Sequence, residues 1–324
     1  MKNIKLIFSL IIAGMVLLVS CSDEKLGKSI FDTNPPARNS FDTWLLNNFV
    51  KVYNVETLYK YEDIEATNAY NVIPANLKEC TMLAQIVKNV WYGAYDELLG
   101  VDFLKSYSPR TLQYIGSYAY SQLPNGSAAV TMGSAEGGMK VTLYGVNSLS
   151  LNPDYLNTAY FHTMHHEFTH ILNQKIPYDR EFKRVTPGDY NGREWIYWVG
   201  RTLDYASLSK GFISAYAMSE FNEDFCEIYS IYVTSTKEKW TEMMNFAAKD
   251  SVKYSKENTV ITTGEVAWYS NGRGRELIEK KLEFVRNYFL LRWGLDMDQM
   301  RAVVLRRGYE IPNMQFETFD DLYK

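Results

Sequence analysis

Two rhythms of apolar and polar positions run along this chain. From Phe41, the residues Trp44, Leu45, Phe49 and Val50 recur at helical spacing, and Asn54 to Tyr61 reads as a strand through Val55, Thr57 and Tyr59. Leu77 to Leu99 returns to helical spacing, with Met82, Ile86, Val90 and Tyr95 on one side. Leu112 to Tyr120 is strand-like. Ala129 to Met132 and Met139 to Val146 flank a glycine-rich connector over 133–138, a pattern that predicts a hairpin in a small mixed or antiparallel sheet. Beyond residue 150 the chain is mostly helical. A helix over about 153–175 is predicted by Asn152 as cap, Pro153 at the first position and no further proline before Pro177, and others by Arg275 to Trp293 and Met297 to Arg306. Strands first and helices after indicate an α+β domain, α/β to about residue 150 and helical over 151–324.

A different pattern precedes residue 41. Lys2 and Lys5 open onto an apolar run from Leu6 to Val19, so residues 1–20 read as an export signal, too short to span a bilayer comfortably. The run ends in Leu18-Val19-Ser20-Cys21, which resembles a bacterial lipobox. That resemblance implies cleavage before Cys21 and acylation of its thiol; an uncleaved anchor with an accidental cysteine is the alternative. Residues 21–40, with Pro35-Pro36, read as a polar tether and 41–324 as the domain. Ser22-Asp23-Glu24-Lys25 looks like the surface-export signals of Bacteroidetes-type lipoproteins. The expectation is an outer-membrane lipoprotein, exposed at the cell surface and held to the bilayer through Cys21.

Composition narrows the classes further. With 46% hydrophobic and 22% charged residues the chain is globular and not disordered. Its 34 basic and 38 acidic residues give a net charge of −4, about −6 without the leader, and no basic excess is left to neutralise phosphates. Nucleic acid is excluded as a partner. Three cysteines, Cys21, Cys80 and Cys226, cannot make a disulfide framework; Cys226 reads as a small buried apolar residue.

All four histidines, His162, His165, His166 and His170, fall within nine residues. Within that stretch His166-Glu167-Phe168-Thr169-His170 forms an H-E-x-x-H pattern on the predicted 153–175 helix. His166 and His170, four apart, project from one face and can close on one zinc ion, while Glu167 sits beside them to accept a proton from water. His162 is one turn before His166, but it stands about 12 Å along the axis from His170, too far to share a metal. Only the 166/170 pair brackets a glutamate, so His162 and His165 read as packing or supporting groups. A catalytic zinc needs a third protein ligand, and with no histidine left a carboxylate must supply it. Ser219 to Glu227 holds the best candidates: a helix capped by Ser219, with Phe221, Phe225, Ile228 and Tyr232 as apolar stripe and Glu220, Glu223 and Glu227 near one another. One zinc per chain is expected.

These residues resemble the gluzincin metallopeptidases, and more closely the lipoprotein zinc metallohydrolases associated with substrate-import systems in Bacteroidetes. The resemblance rests on the lipobox, on His166 to His170, and on Gly211-Phe212-Ile213-Ser214-Ala215-Tyr216-Ala217 running into Glu223-Asp224-Phe225-Cys226-Glu227. It implies a zincin-like fold with Glu223 as third ligand, Glu227 orienting a ligating histidine from behind, and Tyr216 donating to the developing oxyanion. The chain departs from thermolysin-like relatives in carrying Glu227 where aspartate is usual, and in a longer insertion between His170 and Glu223. Trp195, Tyr197, Trp198 and Arg201 in that insertion read mainly as packing residues. The implied reaction is hydrolysis of a peptide or protein substrate, with Glu167 passing its proton to the leaving amine. The Met139 to Val146 strand is expected to bind an extended peptide at a sheet edge. Import components are further partners implied by the resemblance alone. Two other readings stay open: a noncatalytic accessory lipoprotein that captures ligand for an import complex, and a zinc amidase acting on non-peptide amides.

Overall fold

The computed structural model describes residues 37–61, 70–122, 128–131, 133–136, 139–198, 205–256 and 259–322. Cys21, the leader, Arg201 and most of the tether lie outside them. From Asn39 onward the chain forms one compact unit of mixed α and β structure. No helix among the described residues is long and apolar enough to cross a membrane.

The strands are β1 (Glu56–Leu58), β2 (Thr111–Tyr114), β3 (Ala119–Gln122), β4 (Ala128–Thr131), β5 (Gly133–Glu136), β6 (Lys140–Leu143), β7 (Asp250–Tyr254) and β8 (Trp268–Asn271). Four of them make a mixed sheet in the order β1-β2-β6-β5, with β1, β2 and β6 parallel and β5 antiparallel. β2 and β6 bury residues on both faces, as interior parallel strands do. Their buried polar pair is satisfied: Thr142 donates to Gln113 Oε1 at 3.2 Å.

Two expectations about this region change. The predicted strand over Leu112 to Tyr120 splits into β2 and β3, which belong to different sheets. β4 pairs with β3 and not with the 139–146 run, whose hairpin partner is β5, within the connector read as a turn. The reason is steric. Gly133 faces the histidine-bearing helix so closely that an added Cβ would stand 2.4 Å from Thr163 Cγ2, and only a small residue lets a strand run there. β6 is therefore an interior strand, and the edge next to the helix is β5.

The helices used below are α1 (Leu77–Val87), α2 (Gly93–Leu99), α3 (Pro153–Leu156), α4 (His162–Lys175), α5 (Phe221–Thr234), α6 (Gly274–Trp293) and α7 (Met297–Glu310). A π turn over Lys88–Tyr92 joins α1 to α2, and another over Asn157–Phe161 joins α3 to α4, so the predicted spans 77–99 and 153–175 each hold as continuous rods. Asn152 caps the second rod, accepting from the Tyr155 N–H at 3.0 Å. α6 ends at Gly294 in the left-handed region, and Asp296 caps α7 by accepting from the N–H groups of Asp298 and Gln299.

Aromatic packing fixes α4 in place. Phe168 meets Trp91 and Tyr95 at ring separations of 5.2 and 5.0 Å, and on α5 Tyr229 stacks on Phe289 of α6 at 3.8 Å. α4 and α5 pack directly on one another, and the histidines of one face the glutamates of the other.

Candidate metal centre

The i, i+4 spacing on α4 places the rings of His166 and His170 beside each other, centroids 4.9 Å apart. α5 brings Glu223 up to both. Glu223 Oε2 lies 2.8 Å from His166 Nε2 and 3.2 Å from His170 Nε2, and the two ring nitrogens are 3.2 Å apart. Three donor atoms thus aim at one point. Tetrahedral zinc with bonds of 2.0–2.1 Å holds its ligand atoms about 3.3 Å from one another, so a small outward adjustment would seat such an ion.

Behind this trio, Glu227 is buried and fully engaged. Its Oε1 accepts from His166 Nδ1 and from His162 Nε2, both at 2.8 Å, and its Oε2 accepts from Ser214 Oγ at 2.6 Å. With Nδ1 committed to Glu227, His166 turns Nε2 toward Glu223 and His170. The longer glutamate reaches where the resemblance expected an aspartate. Ser214 was given no role by the sequence; it also accepts from the Ala217 N–H at 3.1 Å, and so joins Glu227 to the 3-10 turn Tyr216–Met218. The only sequence signal for it is the small hydroxyl residue two positions before Tyr216, a position that favours such local turns.

The other two histidines separate cleanly. His162 supports Glu227. His165 is buried in the aromatic core, its Nδ1 3.0 Å from the Tyr95 hydroxyl, which in turn meets the Tyr229 hydroxyl at 3.0 Å. Burial, with nearby His162 adding to it, lowers the His165 pKa to about 3, so it is a neutral packing group.

Of the three stacked glutamates only Glu223 and Glu227 join the histidines; Glu220 is exposed. Ser219 does not cap α5. It still lies on the αR turn that follows Tyr216–Met218 and donates to the Tyr216 carbonyl at 2.7 Å, leaving Glu220 as the extended N-cap. Cys226 is buried as expected, and its Sγ also lies within 4.8 Å of ring nitrogens of His166 and His170. Cys80 and Cys226 are both free thiols.

The site's charges oppose one another strongly. Burial alone would lower the His166 pKa, but its bonds to Glu223 and Glu227 overcome this and raise it to about 10. Burial would raise Glu223, and the same partners, His166 and His170, pull it down to about 2. Glu227 is likewise held well below the carboxylate range against its burial, by His162 and His166. Glu167 behaves differently. Burial raises its pKa, with the two histidines only partly offsetting it, which brings this carboxylate nearer the range of a working base. Tyr216 places its ring 5.8 Å from that of His166 and 5.0 Å from that of Trp195. Partial desolvation of its hydroxyl and the neighbouring Glu223 push its pKa upward although the residue as a whole is exposed, so it stays a proton donor.

An α+β scaffold carrying two histidines, a carboxylate and an adjacent half-buried glutamate is the build of a metal-dependent hydrolase. Residues 34–298 match the family model described as "putative zinc-binding metallo-peptidase", and the chain belongs to that family. It is also similar to a crystal structure from Bacteroides caccae ATCC 43185 described in the same words, with 31% identity and a TM-score of 0.68 over 90% of this chain and 99% of that one. No curated protein matches.

Proposed function

We propose that this chain is a gluzincin-type zinc peptidase of zincin-like fold, held to the outer membrane by acylated Cys21, exposed at the cell surface and working beside a nutrient import system. The observation that carries the catalytic part is the convergence of His166 Nε2, His170 Nε2 and Glu223 Oε2 within 2.8–3.2 Å of one another. Zinc held by those three residues would supply Lewis acidity toward the scissile carbonyl and the attacking water. Glu167 accepts the proton of that water and hands it to the leaving amine, a task suited to a carboxylate whose burial raises its pKa. Tyr216 donates its hydroxyl hydrogen to the developing oxyanion from a turn anchored through Ser214. Glu227 fixes the tautomer and direction of His166.

β5 supports a polypeptide substrate. It ends the sheet, it runs against α4, and among the described residues it pairs only with β6, so its outer side offers backbone groups to an extended chain. The lipobox and the residues after Cys21 support the membrane assignment, and the import association rests on the family resemblance.

Glu167→Gln tests the mechanism. The variant is expected to retain zinc and lose hydrolysis by at least about a hundredfold, the scale of general-base catalysis. Turnover at the wild-type rate in a zinc-loaded variant would refute the assigned base.

A further inference from the structure

A cavity of about 260 Å³ opens beside His170. Its wall carries two cations, Arg180 and Lys183, and three amides, Asn173, Gln174 and Asn222, and among the described residues no carboxylate lines it. Both cations come from the 3-10 turn Arg180–Arg184, where residues three apart fall on the same side. The turn sorts its charges. Arg184 pairs with Glu181 at 2.8 Å on the outside, whereas Arg180 and Lys183 pair with no carboxylate among the described residues and face the cavity.

The turn is also fixed relative to the centre. Its Phe182 is buried and meets Phe225 of α5 at 5.2 Å, and Tyr178 stacks on Phe225 at 4.2 Å while donating to Asn222 Oδ1 at 2.9 Å. Phe225 is two residues from Glu223. Lys183 extends over the Phe221 ring, its Nζ 3.4 Å from the centroid, which holds the ammonium group in place without neutralising it. Lys183 is thus held near His170, with Arg180 exposed on the same side of the turn, in a protein whose net charge is negative.

We propose that this cavity is a carboxylate-binding subsite, in which Arg180 and Lys183 hold either an acidic side chain or the free C-terminal carboxylate of the polypeptide. The proposal rests on the peptidase reading for the reaction, but the recognition it assigns is measurable without turnover. A planar guanidinium with an ammonium beside it suits a carboxylate, and the amides complete its remaining hydrogen bonds.

The test uses matched peptides that differ only by glutamate against glutamine at each position, and by a free against an amidated C-terminus. They are presented to the zinc-loaded full chain and to Arg180→Gln/Lys183→Gln. The wild type is expected to prefer one carboxylate form by about tenfold or more in kcat/KM, the scale of a charge-assisted hydrogen bond, and the double variant to bring that ratio near one. Preference at an internal position identifies an acidic side chain as the source; preference for the free C-terminus identifies the terminal carboxylate. No preference in the wild type, or the same preference in the double variant, overturns the proposal. Equilibrium titration of Glu167→Gln with the same peptides separates the two readings. Carboxylate-dependent binding by this variant, beside a zinc-loaded wild type that cleaves none of the peptides, would sustain the subsite and remove the peptidase assignment, and equal affinity for both forms would remove the subsite.

Discussion

The buried pair Lys281–Asp224 joins α5, the helix that carries Glu223 and Glu227, to α6, and its loss is expected to unfold the protein at markedly lower temperature. Both side chains are 0% exposed, and the Lys281 Nζ lies 2.7 Å from Asp224 Oδ2. The same ammonium donates to the Gly211 carbonyl at 2.9 Å and sits 3.6 Å over the Phe212 ring, while Tyr190 donates to Asp224 Oδ2 at 2.8 Å. Burial lowers the Lys281 pKa and raises that of Asp224, so each charge persists only because the other is there. Lys281→Met leaves an unpaired buried carboxylate with only the Tyr190 bond, a loss of about 3–5 kcal/mol. At roughly 2–4 °C per kcal/mol for a domain of this order of size, Tm falls by about 6–20 °C. Asp224→Asn/Lys281→Met removes both charges and is expected to recover most of that loss, apart from about 1 kcal/mol for the Gly211 carbonyl. Thermal unfolding of the two variants and the wild type, followed by circular dichroism, measures this. A single variant within about 1 °C of wild type, or a double variant worse than the single, would refute the reasoning.

Two further predictions concern the groups around the centre. Glu227→Gln keeps the shape but loses the charge that orients His166, and zinc affinity measured by competition with a chelator is expected to drop about 10–100-fold; unchanged affinity would contradict the orienting role. His165 gives a pH signature. Its folded pKa of about 3 lies below the ordinary value of 6.5, so the unfolded chain binds the proton more readily. Its contribution is fully present above pH 6.5 and is lost as pH falls toward 3, amounting to roughly 5 kcal/mol across that window. In urea unfolding of zinc-free protein, His165→Asn should be less stable than wild type at pH 8, and the gap should close or reverse by pH 4; a constant gap would show that His165 does not titrate on unfolding.

The placement of His166 beside His170 was readable because it is local: H-E-x-x-H on a capped, proline-started helix needs only the 3.6-residue repeat to bring both rings together. Glu223 and Glu227 were legible through the resemblance, since spacing alone left Glu220 equally eligible, and only the packing of α5 on α4 separates them. The errors came from tertiary contacts. Gly133 belongs to a strand because Thr163 stands 2.4 Å from where its Cβ would be, a constraint invisible to a turn-residue pattern. Ser219 looked like a cap because the preceding 3-10 turn could not be foreseen. Lys281, one of two adjacent lysines, resembles its solvated neighbour Lys280 until its buried partner is seen. Arg180 and Lys183 lay in an insertion whose aromatics drew attention to packing, and their meaning depends on a cavity that no periodicity describes.

The proposal that His166, His170 and Glu223 hold one metal is tested most directly by elemental analysis of the freshly purified chain beside Glu223→Ala. About one zinc per chain is expected in the wild type, with clearly weaker retention in the variant under the same chelator. A wild type that carries no zinc and takes up none on addition, or a variant that holds zinc as tightly, would contradict the assignment.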